Sequence, residues 1–388
     1  MQQISLEAAG CTTDLMAAFS ELADPRTRAC PYPLDELLLV ALCAITSGAE
    51  HWVEVVHWAH HRMDWLKQFL PFKHGIASHD TFTRVFSLLD ARAFEACFMR
   101  WMKGLIPALD QQVIAIDGKS VRRSGRAGAG MVHLVSAWHS AAGVVLGQVR
   151  TGDRSNEITA IPQLLDALDL KGATITLDAM GCQRAIAHKI VDRGADYVLA
   201  VKDNQPTLSQ ALQDWFEGLE SGRLVDQSLQ THIDTDTSHG REQTRRCLVS
   251  ADVDWLQEVG QHWPGLKTVV MVHTTRASSG GGSKPESLRR YYISTLPAQA
   301  AVFNKVIRGH WGIENELHWV LDVAFREDDC RIRTGDGAQN FAILRRIALN
   351  QLKQERASKV GIHARRLKAG WSIDYLQTLL GLKPKKQG

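Results

Sequence analysis

The sequence contains no closely spaced cysteines. Its seven cysteines are scattered singly along 388 residues, and no two of them form a Cys-x-x-Cys pair. A structural zinc site or a disulfide framework needs paired or regularly spaced cysteines, so neither is expected. This cysteine usage is typical of a protein in the reducing cytoplasm.

Long apolar runs are also missing. The most apolar run, Leu37 to Ile45, is too short for a bilayer, which takes about 20 residues. The N-terminus has no basic segment followed by an apolar one, so we predict no signal peptide and no membrane partner.

The net charge is low but unevenly distributed. It is formally +3 for the whole chain, yet residues 353–388 hold nine lysines and arginines against two acids. A basic tail of this kind is either a solvated extension or an arm that attracts phosphate.

Residues 1–106 are predicted to form a helical N-terminal domain, because apolar residues recur there near the helical period. Ser78 and Asp80 are expected to cap a helix. Such helices fit either a helix-turn-helix-like DNA-binding module or ordinary helical packing. Four histidines alternate with tryptophans and are interpreted as interfacial packing rather than metal ligands: His51, His57, His60 and His61.

Residues 107–204 carry the pattern of an α/β fold. Three strand-like runs come first, namely VIAID, MVHLVSAWHSA and GVVLGQVRT. The helix SNEITAIPQLLDALDL, the strand ATITLDAM, the helix CQRAIAHKIVDRG and the strand DYVLAVKDN follow. This order predicts a ribonuclease-H-like core, in which an antiparallel trio is extended by parallel strands.

Residues 205–290 are predicted to be a β-rich insertion into that core. The insertion includes the strand-like run LKTVVMVHTT and a loop near Gly280 to Gly282. The core should resume over residues 291–352 with a long helical region, before the basic tail at 353–388. The predicted fold class is therefore α/β, with an interrupted ribonuclease-H-like core behind an N-terminal helical domain.

Two aspartates end apolar strands of the predicted core. Asp117 ends VIAID and Asp178 ends TITLD, and these strands should be neighbours. Two buried carboxylates repel each other unless a cation lies between them, and oxygen ligands favour Mg²⁺ or Mn²⁺. Each aspartate alone also fits a turn or a helix cap.

Cations follow the first aspartate. The sequence Gly-Lys-Ser at 118–120 is not a P-loop, because the glycine required five residues earlier is Val113. Lys119, Arg122 and Arg123 are candidate phosphate contacts, or equally members of a solvated loop.

A third carboxylate is expected from the helical segment RGHWGIENELHWVLDV. At about 100° per residue, His310, Glu314 and His318 share one face, and Glu316 lies almost opposite. The spacing His-x₃-Glu-x₃-His also allows the weaker hypothesis of a zinc site, weaker because it differs from the His-Glu-x-x-His motif of zinc enzymes. Trp311 would either stack on an unpaired base or pack in the core.

Taken in order, five motifs resemble the DDE transposases of bacterial insertion sequences, and most of all the H-repeat-associated (ISAs-type) group. The motifs are VIAIDGKSVRRS, SNEITAIPQLLDAL, TLDAMGCQ, YVLAVKDNQPTL and HWGIENELHWVLDVAFREDDCRIR. The resemblance implies a ribonuclease-H-like core in which two aspartates and a glutamate bind Mg²⁺ or Mn²⁺. By position these are Asp117, Asp178 and Glu314.

The surroundings of Glu314 depart from the wider superfamily. Many relatives show Tyr-x₂-Arg-x₃-Glu-x₆-Lys, and the corresponding residues here are Ile307, His310 and Leu321. We interpret this as a subgroup difference, with Arg308, Arg331 and Arg333 as candidate replacements. The predicted DNA contacts are Lys119, Arg122, Arg123, Lys202, His310, Trp311, Arg331 and Arg333.

The function implied by the resemblance is metal-dependent DNA cleavage and strand transfer at the ends of an insertion sequence. Its partners would be double-stranded element ends and target DNA, with a homodimer in the DNA complex and nucleoid association when bound. Two alternatives remain at this point. One is a catalytically inactive, transposase-derived DNA-binding protein, and the other is a ribonuclease-H-like nuclease without strand transfer.

Overall fold

A nine-stranded mixed β-sheet runs through the centre of the chain. The strands are β1 Val113–Val121, β2 Val132–His139, β3 Val144–Arg150, β4 Thr174–Leu177, β5 Asp196–Val201, β6 Gln230–Ser238, β7 Arg241–Ser250, β8 Thr268–Ser278 and β9 Glu286–Ser294. They lie in the order β3-β2-β1-β4-β5-β9-β8-β7-β6. The pairs β1–β4 and β4–β5 are parallel, and all other neighbours are antiparallel.

Helices cover both faces of the sheet and form a separate layer from the N-terminal part of the chain. The computed structural model describes residues 15–28, 30–106, 108–125, 130–152, 157–238, 241–278 and 286–384. In these ranges the α-helices are α1 Leu15–Ala18, α2 Leu34–Thr46, α3 Trp52–His60, α4 Met63–Leu66, α5 His79–Leu88, α6 Ala91–Leu105, α7 Glu157–Ala167, α8 Arg184–Asp192, α9 Pro206–Glu220, α10 Gln257–Gln261, α11 Ala300–His310, α12 Trp319–Phe325, α13 Gly337–Gln354, α14 Ile362–Trp371 and α15 Ile373–Leu380. A π-helical segment, Ile313–His318, joins α11 to α12.

The element order confirms the predicted α/β, ribonuclease-H-like core. Strands β1, β2 and β3 form the antiparallel trio, and α7, β4, α8 and β5 follow in the expected sequence.

Gly143 has a positive φ of 67° in the turn between β2 and β3, a conformation that glycine adopts without a steric penalty. The parallel β1–β4–β5 group is apolar because helices cover it on both sides.

Strand β1 is longer than the sequence predicted. We expected it to end at Asp117, but it continues to Val121. Its pairing with β2 explains the extension, because the antiparallel register runs on from Asp117 opposite Ser136 to Val121 opposite Val132. Its pairing with β4, in contrast, stops at Ile116 opposite Leu177.

The segment between β5 and α11 extends the same sheet. The strand predicted from LKTVVMVHTT is present as β8, and β9 returns to pair with β5, so the two ends of the segment lie together. The sequence reading missed α9, a 15-residue helix that starts with Pro206 at its first turn, a position where proline is favoured. The predicted loop near Gly280 to Gly282 lies outside the described residues.

The N-terminal helices pack around α13, which is buried along most of its length. The ring centroid of Trp52 on α3 lies 4.6 Å from the ring centroid of Phe86 on α5 and 4.8 Å from that of Phe341 on α13. Ser78 caps α5 as expected, its hydroxyl accepting a hydrogen bond from the Thr81 amide.

The basic C-terminal segment is folded into this helical layer. The Arg366 guanidinium is buried and donates hydrogen bonds to the carbonyls of Ile45, Ala49 and Ala324. Arg365 donates to four carbonyls between residues 352 and 360. Through residue 384 the segment is therefore neither a solvated extension nor a free arm, because Arg365 and Arg366 bind main-chain carbonyls at helix ends and in the loop before α14. No helix in the described part of the chain is long and apolar enough to cross a membrane.

Candidate active site

Two aspartates meet where the pairing of β1 and β4 ends. Asp117 and Asp178 each follow the last paired residues, Ile116 and Leu177. Because the two strands are parallel, their next residues project from the same edge of the sheet. The Asp178 carboxylate also accepts a hydrogen bond from the amide of Gly181, which holds the turn after β4.

Glu314 comes to the same place from the π-helical segment. Its carboxylate Oε2 lies 3.1 Å from Nδ1 of the buried His318, and that Nδ1 lies 3.7 Å from Oδ2 of Asp117. One ligand atom each from Asp117, Glu314 and His318 lies within 4.8 Å of the other two. π-Helical turns inserted between α-helices are often found at functional sites.

The pKa of Asp117 shows that several acids lie close together at this edge. Burial raises the pKa of the Asp117 carboxyl to about 7. The charges of Glu157, Asp178 and Glu314 push it in the same direction. Burial also raises the pKa of Asp178, and Glu157 adds to that rise. A divalent cation would relieve this repulsion, and the carboxylate donors fit Mg²⁺ or Mn²⁺.

The hypothesis that His310, Glu314 and His318 form a zinc site is wrong. The His310 Nδ1 atom lies 2.9 Å from the Thr176 hydroxyl on β4, and burial lowers the pKa of His310 to about 4. The wider π-helical turn changes the helical phase after His310, so only Glu314 and His318 face Asp117. The neutral His310 ring supports β4 and is poorly suited to a phosphate contact.

Lys119 also lies inside the protein. Its side chain is 8% exposed, and its ammonium lies 2.7 Å from Asp322 and 3.2 Å from Asp328. We predicted a phosphate contact or a solvated loop, but β1 extends through Lys119 and directs the side chain to these acids. It therefore anchors both α12 and the turn that follows it to the strand bearing Asp117.

Other predicted DNA contacts lie at the surface of the protein. Arg122 and Arg123 pair with Asp328 and Asp329 at the surface, and the Arg333 Nε donates to the Arg123 carbonyl. Arg331 and Lys202 are exposed, and the Lys202 charge offsets part of the rise that burial causes in the pKa of Asp178. The Trp311 ring is 41% exposed under the Arg290 guanidinium. The Arg308 guanidinium pairs with two aspartates of β6, Asp234 and Asp236.

Three residues that lie near the acids in space or along the chain were given no role from the sequence. Glu157 begins α7, His133 lies on β2, and Trp319 is 59% exposed at the start of α12. Glu157 belongs to the motif SNEITAIP, which carried the family resemblance without a role for its acid. His133 alternates with apolar neighbours along β2, a pattern that gave no chemical signal.

Comparison with known proteins identifies the family. Residues 108–351 match the family described as Transposase DDE domain, and residues 16–102 match the family described as DDE_Tnp_1-associated. The "H repeat-associated putative transposase YhhI" of Escherichia coli K12 is 40% identical over 372 residues, which cover 94% of this chain and 97% of the relative.

A second relative and a solved structure are also similar. The "Putative transposase YncI" of Escherichia coli O157:H7 is 41% identical, over 90% of this chain and 89% of its own length. The cryo-EM structure of a piggyBac transposase synaptic complex with hairpin DNA aligns with a TM-score of 0.44 at 10% identity, covering 97% of this chain and 79% of that one. On the family match over residues 108–351 and the near full-length relatives, the chain belongs to the DDE transposases, within their H repeat-associated group.

Proposed function

We propose that the chain is an active transposase that cleaves DNA at the ends of an insertion sequence and transfers the freed strand to target DNA. The observation that supports this most is the meeting of Asp117 and Glu314, which are far apart in sequence but contribute ligand atoms within 4.8 Å of each other and of His318. Asp178 stands beside Asp117 in the strand register.

Asp117, Asp178 and Glu314 would hold Mg²⁺ or Mn²⁺. A divalent ion bound there would supply an activated water or 3′-hydroxyl and stabilise the leaving oxygen in phosphodiester chemistry. The chain itself contributes the positions of the carboxylates. Asp117 is fixed by the β1–β2 pairing, Asp178 by the turn after β4, and Glu314 by its contact with His318.

The DNA would lie against the exposed cations around this edge. Arg122, Arg123, Arg331, Arg333 and Lys202 would contact phosphates, which supply most of the affinity of a protein for duplex DNA. Trp311 would stack on a base that has left the duplex. We further propose the N-terminal helical domain, residues 1–106, as a second DNA-contacting unit, and a homodimer as the species that holds two ends.

The two alternative functions are less well supported. A catalytically inactive DNA-binding protein would have no need to keep three carboxylates at one edge, where burial and then the neighbouring acids raise the pKa of Asp117. A nuclease without strand transfer would use the same site. It differs from the proposed function only in the second reaction, in which water rather than the freed 3′-hydroxyl would attack a phosphodiester.

A strand-transfer assay separates these three functions. The DNA would be a labelled linear duplex carrying the gene for this chain with its flanking sequence, mixed with unlabelled plasmid as target. We expect Mg²⁺- or Mn²⁺-dependent nicks at the two element ends, followed by joining of the labelled 3′ ends to the plasmid. Nicks without joined product would support the nuclease, and binding without nicks would support the inactive protein.

Matched variants tie the activity to the site. Asp178→Asn and Glu314→Gln should both abolish nicking. Glu316→Gln is the control, because Glu316 lies on the same π-helical segment but pairs with Lys353. Loss of nicking in Glu316→Gln as well as in Glu314→Gln would show that the segment tolerates no change, and it would remove the support for Glu314 as a specific ligand.

A further inference from the structure

Glu157 is an acid of the same edge that has no assigned role. It is the first residue of α7 and only 9% exposed. Its Oε1 lies 2.8 Å from Nε2 of His133 on β2, and Nδ1 of that ring lies 2.8 Å from the Ser120 hydroxyl on β1. The carboxylate is therefore held in one orientation by a chain of two side chains that starts on the strand of Asp117.

Gly118 makes room for this arrangement. A Cβ atom built on Gly118 would overlap both the Glu157 carboxylate and the His133 ring. Glu157 thus lies directly against the backbone that follows Asp117, at a position that any other residue would close. A side chain at position 118 would therefore push the Glu157 carboxylate and the His133 ring out of their present places, and glycine leaves room for both.

The charge of Glu157 reaches both aspartates. Among the charged neighbours of Asp117, Glu157 raises its pKa the most. The same holds among the charged neighbours of Asp178. An acid at a helix N-terminus is ordinarily explained by the helix dipole, but the dipole stabilises a partly buried charge by at most about 2 kcal/mol. It does not account for a buried acid placed beside two other carboxylates. The single imidazole of His133 can neutralise at most one of these three acids.

We propose that Glu157 is a fourth carboxylate of the cation site formed around Asp117, and that Ser120 and His133 are positioning residues that orient it. This inference rests on the proposed function, since it adds a ligand to the cation site proposed there. Three acids packed together, one of them buried and two partly buried, are favourable only if a cation shares their charge. Hydrogen-bonded partners such as His133 are the usual support of ligating carboxylates.

Direct Mn²⁺ binding tests this without DNA and without activity. The full-length chain would be titrated with Mn²⁺, and free Mn²⁺ would be counted by electron paramagnetic resonance. We expect Glu157→Gln and Glu157→Asp each to raise the dissociation constant at least about tenfold, because the first removes the charge and the second withdraws it from contact. Glu316→Gln, which removes one charge from a neighbouring segment, should bind as the wild type does.

The outcomes separate this inference from the proposed function. If Glu157→Asp binds like the wild type while Glu157→Gln does not, Glu157 acts only through its charge and is no ligand. If both bind like the wild type while Asp117→Asn loses Mn²⁺, the fourth carboxylate is wrong and the proposed function stands. Binding that is unchanged by Asp117→Asn would overturn both.

Folding is checked by thermal unfolding without cation. Should Glu157→Gln fail to fold, His133→Asn replaces it as the second variant. It leaves all acids in place and removes the support, because the shorter Asn amide can replace Nδ1 but not Nε2, the atom that contacts Glu157. It should raise the dissociation constant by roughly 10- to 100-fold. An unchanged constant in a folded His133→Asn protein, together with wild-type binding by Glu157→Asp, would contradict the inference.

Discussion

His318 and Glu314 form a contact across one π-helical turn, with Nδ1 of the imidazole 3.1 Å from Oε2 of the carboxylate. The imidazole is buried and the carboxylate is mostly exposed. Burial lowers the pKa of His318, so the ring is mainly neutral near neutral pH and has one N–H to donate. Because Nε2 has no hydrogen-bond partner among the described residues, the proton is best placed on Nδ1, where it restrains Glu314 towards Asp117.

Removing that donor should weaken the cation site. We expect His318→Leu to raise the Mn²⁺ concentration needed for half-maximal single-turnover cleavage by roughly 10- to 100-fold. His318→Asn should restore much of the loss, since the Asn amide can take the place of Nδ1–H. Equal shifts in the two variants would mean that His318 only fills space.

Exposed arginines around the site and anchored arginines of the C-terminal segment should behave differently. Replacing Arg122 and Arg331 by Gln should flatten the plot of log affinity against log salt by about 0.9 for each lost phosphate contact on duplex DNA. Arg365→Gln should leave that slope unchanged. It should instead lower the free energy of unfolding by roughly 2 kcal/mol, because four carbonyls lose a charged donor. Salt titrations and denaturant unfolding of the same proteins would show whether the two groups separate.

Two adjacent buried arginines of α13 should have unequal effects on stability. Arg346 lies 2.9 Å from Glu327, and both side chains are fully buried. Arg346→Met would strand that carboxylate, and we expect a loss of about 3–5 kcal/mol. The Arg345 guanidinium stacks on Phe341, and its nitrogens have no hydrogen-bond partner within the described residues. Arg345→Met should therefore cost clearly less in urea unfolding, and equal or reversed costs would contradict this difference.

Glu95 should make the protein less stable as the pH rises. Burial raises the pKa of this carboxyl from 4.5 to about 7, so the folded state keeps a proton that the unfolded state has released. Stability is therefore lost as the pH rises from about 4.5 through 7, by at most about 3 kcal/mol, and no more is lost above that range.

Glu95→Gln should remove this loss. The Gln amide can still accept from Gln339 and can donate to Oε1 of Gln148, which has no hydrogen-bond partner among the described residues. The variant should therefore gain on the wild type between pH 5 and pH 8 in denaturant unfolding. A difference between the two proteins that stays constant over this range would show that Glu95 is not the titrating group.

The core of the fold was predictable because its strands carry local signals. Apolar runs separated by turn residues identify β1 to β5, and their order with α7 and α8 allows few topologies. The end of β1 was not predictable from Asp117, since a polar residue can continue a strand when its antiparallel neighbour continues too. Helix α9 was missed because its helical pattern lay in a segment dominated by strand-like runs.

The site was predictable only in part, for geometric reasons. Asp117 and Asp178 were expected together because parallel neighbouring strands end at one edge. Glu314 was assigned from α-helical periodicity, which does not allow for a π-helical turn. The same periodicity wrongly placed His310 on the face of Glu314. Glu157 was overlooked because an acid at the start of a helix is usually explained by the helix alone.

The most direct test compares binding and chemistry in Asp117→Asn. DNA affinity would be measured by equilibrium binding to end-containing duplex, with and without Mg²⁺, and cleavage would be measured in a single turnover with saturating protein. We predict that cleavage is lost while affinity is kept or increased, since one negative charge near the DNA backbone has gone. Loss of both in either buffer would make Asp117 a structural acid, and retained cleavage would show that the reaction does not depend on it.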